Sequence, residues 1–131
     1  MNRADGDEQP RAYALRFTER AQRDLDAATY HFAVTASPEI AVSWREGLYT
    51  AMAALALYPR RCPTAPEKFR REVRQYLYRR PGSHVIYRIL FTIAGEEVAA
   101  QDAPTVNILH VRHASTRPLS RTQTREIETE L

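Results

Sequence analysis

Apolar and polar residues recur at two different periods in the first part of the chain. Residues 13–17, YALRF, alternate between apolar and polar positions, which predicts a short strand. The next apolar residues are spaced as on one side of a helix: Ala21, Leu25, Ala28 and Phe32. Thr18 precedes them at the position of an N-cap. The sequence therefore predicts a strand followed by a helix over 19–34.

A second amphipathic helix is predicted from Ser37, which is followed by proline at the first helical position. Its apolar stripe consists of Ala41, Trp44, Leu48, Met52 and Leu55. Tyr58 precedes Pro59, and the helix ends there because the residue before proline disfavours helical backbone. The two helices predict a helical hairpin, and the large stripe on the second helix is interpreted as core.

Strand-forming patterns dominate the second half of the chain. VRQYLY at 73–78 and HVIYRILFTI at 84–93 flank a Pro-Gly turn, and a last strand covers 106–113. The order strand, helix, helix, strand, strand, strand (β-α-α-β-β-β) predicts an α+β fold: an N-terminal strand, a helical hairpin and a three-stranded antiparallel sheet. The hairpin is expected to cover one face of the sheet and to leave the other partly open.

The length of 131 residues predicts one domain. Polar residues 1–11 are interpreted as a disordered leader, 12–119 as the single domain, and 120–131 as a tail that is either flexible or a short, weakly held helix. The single cysteine, Cys62, cannot form an internal disulfide. Apolar runs stay well short of about 18 residues, so a cytoplasmic protein without a membrane segment is expected.

Positive charge is unevenly distributed, although the net charge is only +3. Between Arg60 and Arg88 there are nine basic residues and two acids, Glu67 and Glu72. Of 19 basic residues, 18 are arginine and one is Lys68. One interpretation is a surface for nucleic acid or an acidic protein, because arginine binds phosphates and carboxylates in bidentate fashion. The other is that these arginines are solvated or pair with the two acids.

The run VNILHVRHA, 106–114, carries the first candidate chemistry. His110 and His113 are three residues apart, which on a strand sends their side chains to opposite faces. A shared metal site is therefore not predicted. No phosphate-binding glycine loop, nucleophile elbow or HExxH pattern occurs in the sequence, so no cofactor is predicted either.

Arginine, histidine and tyrosine residues on the sheet remain as candidates. They are Arg74, Tyr76, Tyr78, His84, Tyr87, Arg88, His110, Arg112 and His113. Strict alternation puts Arg112 and His110 on the face of Ile108. It puts His113 on the other face, with Leu109. These groups can meet only if the last strand twists or bulges, in which case the surface could bind RNA.

Over residues 13–119 the chain resembles the RelE/ParE family of toxins from bacterial type II toxin–antitoxin systems. The segments that carry the resemblance are YALRFTERAQRDLDAATYHF, SPEIAVSWREGLYTAMAALALYP, VRQYL, VIYRILFTI and ILHVRHA, in that order and spacing. The resemblance implies the fold derived above. It also implies a cognate antitoxin as partner, one that wraps the toxin with helical segments.

The family has two activities, and the departures of this chain favour one of them. RelE-like toxins cut mRNA on the ribosome, whereas ParE-like toxins poison DNA gyrase. The segment DLDAATYHF looks more like the ParE side. This chain has His84, Gln75, Leu77 and Ala114 where RelE-like toxins carry basic residues, and no tyrosine follows Tyr87. The resemblance therefore implies a ParE-like growth inhibitor acting on DNA gyrase.

Two alternatives stay open at this point. In the first, the chain is a RelE-like, ribosome-dependent mRNA endoribonuclease that needs no metal. His113 or His84 would then be the general base or acid, and Arg74, Arg88 and Arg112 would stabilise the charge that develops on the phosphate. In the second, the chain is an inactive family member that only binds its antitoxin.

Overall fold

The computed structural model describes residues 13–96 and 104–131. Its elements are β1 Ala14–Phe17, α1 Glu19–Thr35, α2 Pro38–Leu55, β2 Arg74–Arg79, β3 Ile86–Ala94, β4 Thr105–His113 and α3 Arg121–Glu128, with a 3-10 turn at Pro59–Arg61. The predicted α+β order is confirmed, with a third helix after the last strand. The predicted leader, 1–11, lies outside the described residues. Within the described ranges, no helix has the length and apolar character needed to cross a membrane.

Both predicted helix starts are confirmed by hydrogen bonds at the caps. The hydroxyl oxygen of Thr18 accepts from the N–H of Ala21 over 3.1 Å. The hydroxyl oxygen of Ser37 accepts from the N–H of Ile40, also over 3.1 Å. These bonds satisfy donors that a helix leaves free in its first turn. The second helix ends at Leu55, slightly before the predicted stop at Tyr58.

The sheet has four strands in the order β1-β4-β3-β2. The prediction of three antiparallel strands is confirmed, since β2 pairs with β3 and β3 with β4 in that sense. The N-terminal strand completes the sheet by pairing in parallel with β4, with Ala14 opposite Thr105 and Phe17 opposite Ile108. The sheet is therefore mixed, and the first and last strands of the chain lie side by side in it.

The helical hairpin packs on one face of this sheet, as predicted. The main core includes Leu25 of α1, the stripe Trp44, Leu48 and Met52 of α2, and Ile89, Phe91, Val106 and Ile108 of the sheet. Trp44 is 2% exposed, and the other members of the stripe are similarly buried. The interpretation of this stripe as core is confirmed.

The opposite face of the sheet is covered, which corrects the expectation of a partly open face. A second core forms there from Val73, Leu90, Leu109, Leu119 and Ile127. Ile127 belongs to α3 and is 1% exposed. The helix starts with a reciprocal capping box between Ser120 and Gln123. Of the two alternatives for the tail, the structure has the short helix, and its buried isoleucine means that it is not weakly held.

A bulge in β4 changes which side chains share a face. Phe91 lies opposite Ile108, and Leu90 lies opposite His110, so Leu109 is the extra residue of the pair. Ile108 and Val111 both belong to the core under the hairpin, whereas Leu109 belongs to the core under α3. The strict alternation assumed from the sequence is therefore wrong at this point of the strand.

Candidate functional site

Arg88, a predicted site residue on β3, is held by a buried carboxylate. Its two terminal nitrogens donate to the two carboxylate oxygens of Glu67 over 2.8 and 2.7 Å. Its Nε donates to the side-chain oxygen of Gln75 over 3.0 Å. The side chains of Arg88 and Glu67 are 11% and 5% exposed. The guanidinium is therefore saturated inside the protein and offers little to a bound phosphate.

Glu67 joins two segments of the chain through the same carboxylate. Its Oε2 also accepts from the N–H of Leu119 over 3.2 Å. The hydrogen bonds from Arg88 hold the pKa of Glu67 at about 2, and the Leu119 N–H lowers the pKa further against the opposing effect of burial. The carboxylate is thus ionised at neutral pH and fastens the loop before β2 to the segment before α3.

Arg74, the predicted cation on β2, also serves the fold. Its Nη1 donates to the carbonyl oxygens of Arg60, over 3.1 Å, and of Cys62. Its Nη2 lies 3.5 Å from a carboxylate oxygen of Glu72, and the Arg74 side chain is 14% exposed. Pairing of the central arginines with Glu67 and Glu72, one of the two interpretations of the sequence, is what the structure shows.

Arg112 on β4 is more accessible and binds the turn that follows the strand. Its Nε donates to the hydroxyl of Thr116 over 2.8 Å, and its Nη2 donates to the carbonyl oxygen of Arg117 over 2.9 Å. Burial lowers the pKa of Arg112, and the positive charge of Arg88, its cross-strand partner, lowers the pKa further. The two arginines are adjacent, but each is bonded to a different part of the chain.

His113 lies on the hairpin side of the sheet, with its ring centre 5.4 Å from that of Tyr87. The N–H of Ser115 donates to Nδ1 over 3.0 Å, and the Ser115 hydroxyl lies 2.6 Å from the same nitrogen. Because a backbone N–H can only donate, Nδ1 acts as acceptor and the neutral ring carries its proton on Nε2. The outward nitrogen is therefore a donor, which opposes a role as general base.

His84 lies on the exposed turn between β2 and β3. Across the described part of the chain its side chain makes no hydrogen bond or ion pair. Its ring is therefore not oriented toward His113 or toward the arginines by any described residue. A catalytic histidine is normally held by a second group, and His84 lacks one among these residues.

His110 has a partner that the sequence did not reveal. Its Nδ1 lies 2.6 Å from Oδ2 of Asp24, and the same oxygen accepts from the N–H of Val111 over 3.0 Å. The side chain of His110 is 12% exposed, so its interpretation as a surface histidine is wrong. Asp24 is 86 residues distant in sequence, and no local pattern links the two positions.

The five predicted site residues do not form one constellation. Arg74 lies opposite Phe91, and Arg88 lies opposite Arg112 one strand away from it, while His113 faces the hairpin beside Tyr87. His110 pairs with Leu90 and so lies on the face opposite His113. Within residues 13–96 and 104–131 no three potential metal ligands cluster. The ribonuclease roles stay a prediction that this geometry does not favour.

Comparison with known proteins identifies relatives for most of the chain. Residues 15–118 match the family described as the ParE toxin of the type II toxin–antitoxin system parDE. No curated protein matches the chain. Among solved structures, a chain titled as the chromosomal ParDE toxin–antitoxin system from P. aeruginosa is similar in fold, with a TM-score of 0.58 and 22% identity. The match covers 78% of this chain and 96% of that one.

Proposed function

The chain belongs to the ParE toxin family of type II toxin–antitoxin systems, and from this premise we propose that it arrests growth by acting on DNA gyrase. The observation that carries the proposal is the family match across residues 15–118, which reaches every strand and both helices of the hairpin. A cognate antitoxin completes the proposal as the partner that neutralises the toxin. The related solved chain comes from a system with both components in its title.

The arrangement of the polar groups supports action by contact rather than by hydrolysis. An RNA-cleaving site needs a base, an acid and charge-stabilising groups around one phosphate. In this chain Arg88 and Arg74 are saturated by internal partners, and the accessible nitrogen of His113 is a donor. A toxin that binds gyrase without cutting a substrate requires none of these groups to converge.

Expression of the chain with and without the open reading frame beside its gene tests the proposal. The measurements are growth, supercoiling by purified gyrase, and the integrity of mRNA on ribosomes. We expect growth arrest and inhibited supercoiling with intact mRNA, and we expect both effects to disappear when the antitoxin is present. Gyrase that supercoils normally while growth stops would contradict the proposed target. Absence of any arrest would indicate a family member that only binds its antitoxin.

A triple variant separates the gyrase mechanism from RNA cleavage. His84→Ala, His113→Ala and Arg112→Ala together remove the accessible members of the predicted ribonuclease set, and each of the three side chains is exposed or half-buried. We expect the triple variant to keep inhibiting gyrase. Loss of growth arrest together with loss of mRNA cleavage, in a variant that still unfolds cooperatively and binds the antitoxin, would establish the ribonuclease alternative.

A further inference from the structure

Exposed basic side chains follow the seam between α3 and the loop that precedes β2. The basic seam consists of Lys68, Arg70, Arg71, Arg121 and Arg125, all of them exposed. Arg70, Arg71 and Arg125 line one shallow concavity of about 360 Å³. Lys68 and Arg121 line a neighbouring one of about 280 Å³. The loop and the helix thus present their cations along one continuous line.

The acids near the basic seam are directed inward or toward other partners. Glu67 is bound by Arg88, and Glu72 lies beside Arg74. Glu128 accepts from the backbone N–H groups of residues 70 and 71 over 3.1 and 2.9 Å. Within the described ranges, no side chain of the basic seam takes part in an ion pair. The arginines therefore keep most of their charge available to a ligand.

The two sides of the basic seam are held rigidly. The buried Ile127 anchors α3, and the capping box at Ser120 fixes its start. Arg121 and Arg125 are four residues apart, so they lie on one side of the helix at a rise of about 6 Å. The loop is fastened to α3 by the Glu128 carboxylate. Ordered cations lose less conformational entropy on binding than mobile ones.

We infer that the basic seam binds the phosphate backbone of duplex DNA. Arginine is well suited to phosphate because its planar guanidinium donates in bidentate fashion. Single-stranded nucleic acid is bound largely by stacking on aromatic side chains. Among the described residues the strongly exposed aromatic is Tyr30, which belongs to α1 and lies outside the basic seam. The inference deepens the proposed function and rests on it for the source of the DNA, the duplex that gyrase handles.

Fluorescence anisotropy of the full-length chain with a short labelled DNA duplex tests the inference directly. Binding should weaken linearly with salt on logarithmic axes, with a slope of about 4.5 if the five cations each neutralise one phosphate. The double variant Arg121→Gln/Arg125→Gln should bind roughly tenfold more weakly and lose about 2 from that slope. Neither side chain makes a hydrogen bond or ion pair within the described residues, so folding should be unaffected.

The matched control is Arg23→Gln/Arg79→Gln, which removes the same charge outside the basic seam. Arg23 is paired with Glu19 on the surface of α1, and Arg79 is exposed at the end of β2. This control should keep the salt slope of the unmodified chain. An equal loss in both double variants would show that net charge alone attracts the DNA and would overturn the inference.

The remaining outcomes separate this inference from the proposed function. Failure to bind the duplex, or preference for single-stranded RNA of equal length, would overturn the inference even if gyrase is inhibited. Binding of the duplex by a chain that does not inhibit gyrase would overturn the proposed target and leave the inference standing. Loss of antitoxin binding in Arg121→Gln/Arg125→Gln, with DNA binding unchanged, would instead assign the basic seam to the protein partner.

Discussion

At the scale of single residues, Tyr78 and Gly47 approach each other closely in the main core. A Cβ atom at position 47 would collide with the Tyr78 hydroxyl. That hydroxyl is buried without a hydrogen-bond partner in the described part of the chain, and burial raises the pKa of Tyr78. Glycine in mid-helix costs about 1 kcal/mol relative to alanine. The tyrosine ring thus explains why α2 carries a glycine there.

Gly47→Ala should lower the free energy of unfolding by about 1–3 kcal/mol, because the rigid ring of Tyr78 has to shift. Tyr78→Phe should be neutral or slightly stabilising, since it removes an unpaired buried hydroxyl. In the Tyr78→Phe background, Gly47→Ala should become neutral or stabilising by up to about 1 kcal/mol. Urea unfolding of the four proteins measures the coupling. An equal cost of Gly47→Ala in both backgrounds would contradict the steric explanation.

The Glu67 carboxylate makes stability depend on acid pH. Its pKa is lowered from 4.5 to about 2 in the folded chain, so its contribution is complete above about 4.5 and is lost as the pH falls toward 2. The full shift corresponds to a free energy on the order of 3 kcal/mol. Unfolding by urea across this pH range, together with NMR titration of the carboxyl carbon, measures both quantities.

Glu72 provides the control for this acid effect, because it is 58% exposed and lies 3.5 Å from Arg74. Glu72→Gln should leave the loss of stability below pH 4.5 almost unchanged. Glu67→Gln should flatten that loss and cost about 3–5 kcal/mol at neutral pH, because Arg88 then stays buried without its counter-charge. Titration of Glu67 near 4.5 would refute the assignment.

At the scale of elements, α3 depends on one buried side chain. Ile127→Ala should cost about 2–4 kcal/mol, because it opens a cavity against Leu90 and Leu109. Glu126→Ala, on the exposed side of the same helix, should change stability by no more than about 0.5 kcal/mol. Chemical denaturation followed by circular dichroism compares the two. Similar stabilities of the two variants would mean that α3 is not part of the folded core.

Elements with strong local signals could be predicted from the sequence, and those that depend on distant contacts could not. Thr18 and Ser37 cap their helices as expected because capping is decided within four residues. The Ser120–Gln123 spacing is a capping signal, but α3 buries only Thr124 and Ile127, too few for a helical period. The bulge at Leu109 has no signature in the sequence, because cross-strand pairing creates it.

At the scale of the whole molecule, the hairpin and the sheet share one core, and we expect them to unfold together. Trp44 is the only tryptophan of the chain and is buried between the hairpin and the sheet. Its fluorescence should therefore report packing at this contact, while far-ultraviolet circular dichroism reports the helices. The two urea transitions should coincide. A helical signal that persists after the fluorescence change would contradict the predicted single domain.

The candidate site was less predictable than the fold, because its chemistry depends on which charges meet. The sequence shows how many basic residues surround Arg74 and Arg88 but not which of them are neutralised. Glu67 and Arg88 are 21 residues apart, and only the folded loop brings them together. The same loop leaves Arg70 and Arg71 in solvent, because Glu128 binds their backbone rather than their side chains. Charge availability is a tertiary property, and composition does not reveal it.

The carboxylate of Asp24 also bears on how separate molecules meet. β1 ends at Phe17, while β4 continues to His113, so the last part of β4 has an outer edge that no strand of the described ranges covers. An open edge can recruit a strand from another chain and start aggregation. The side chain of Asp24 occupies the N–H of Val111 at this edge and places a negative charge there. A helix residue thereby protects the sheet against edge-to-edge growth while the toxin is without its antitoxin.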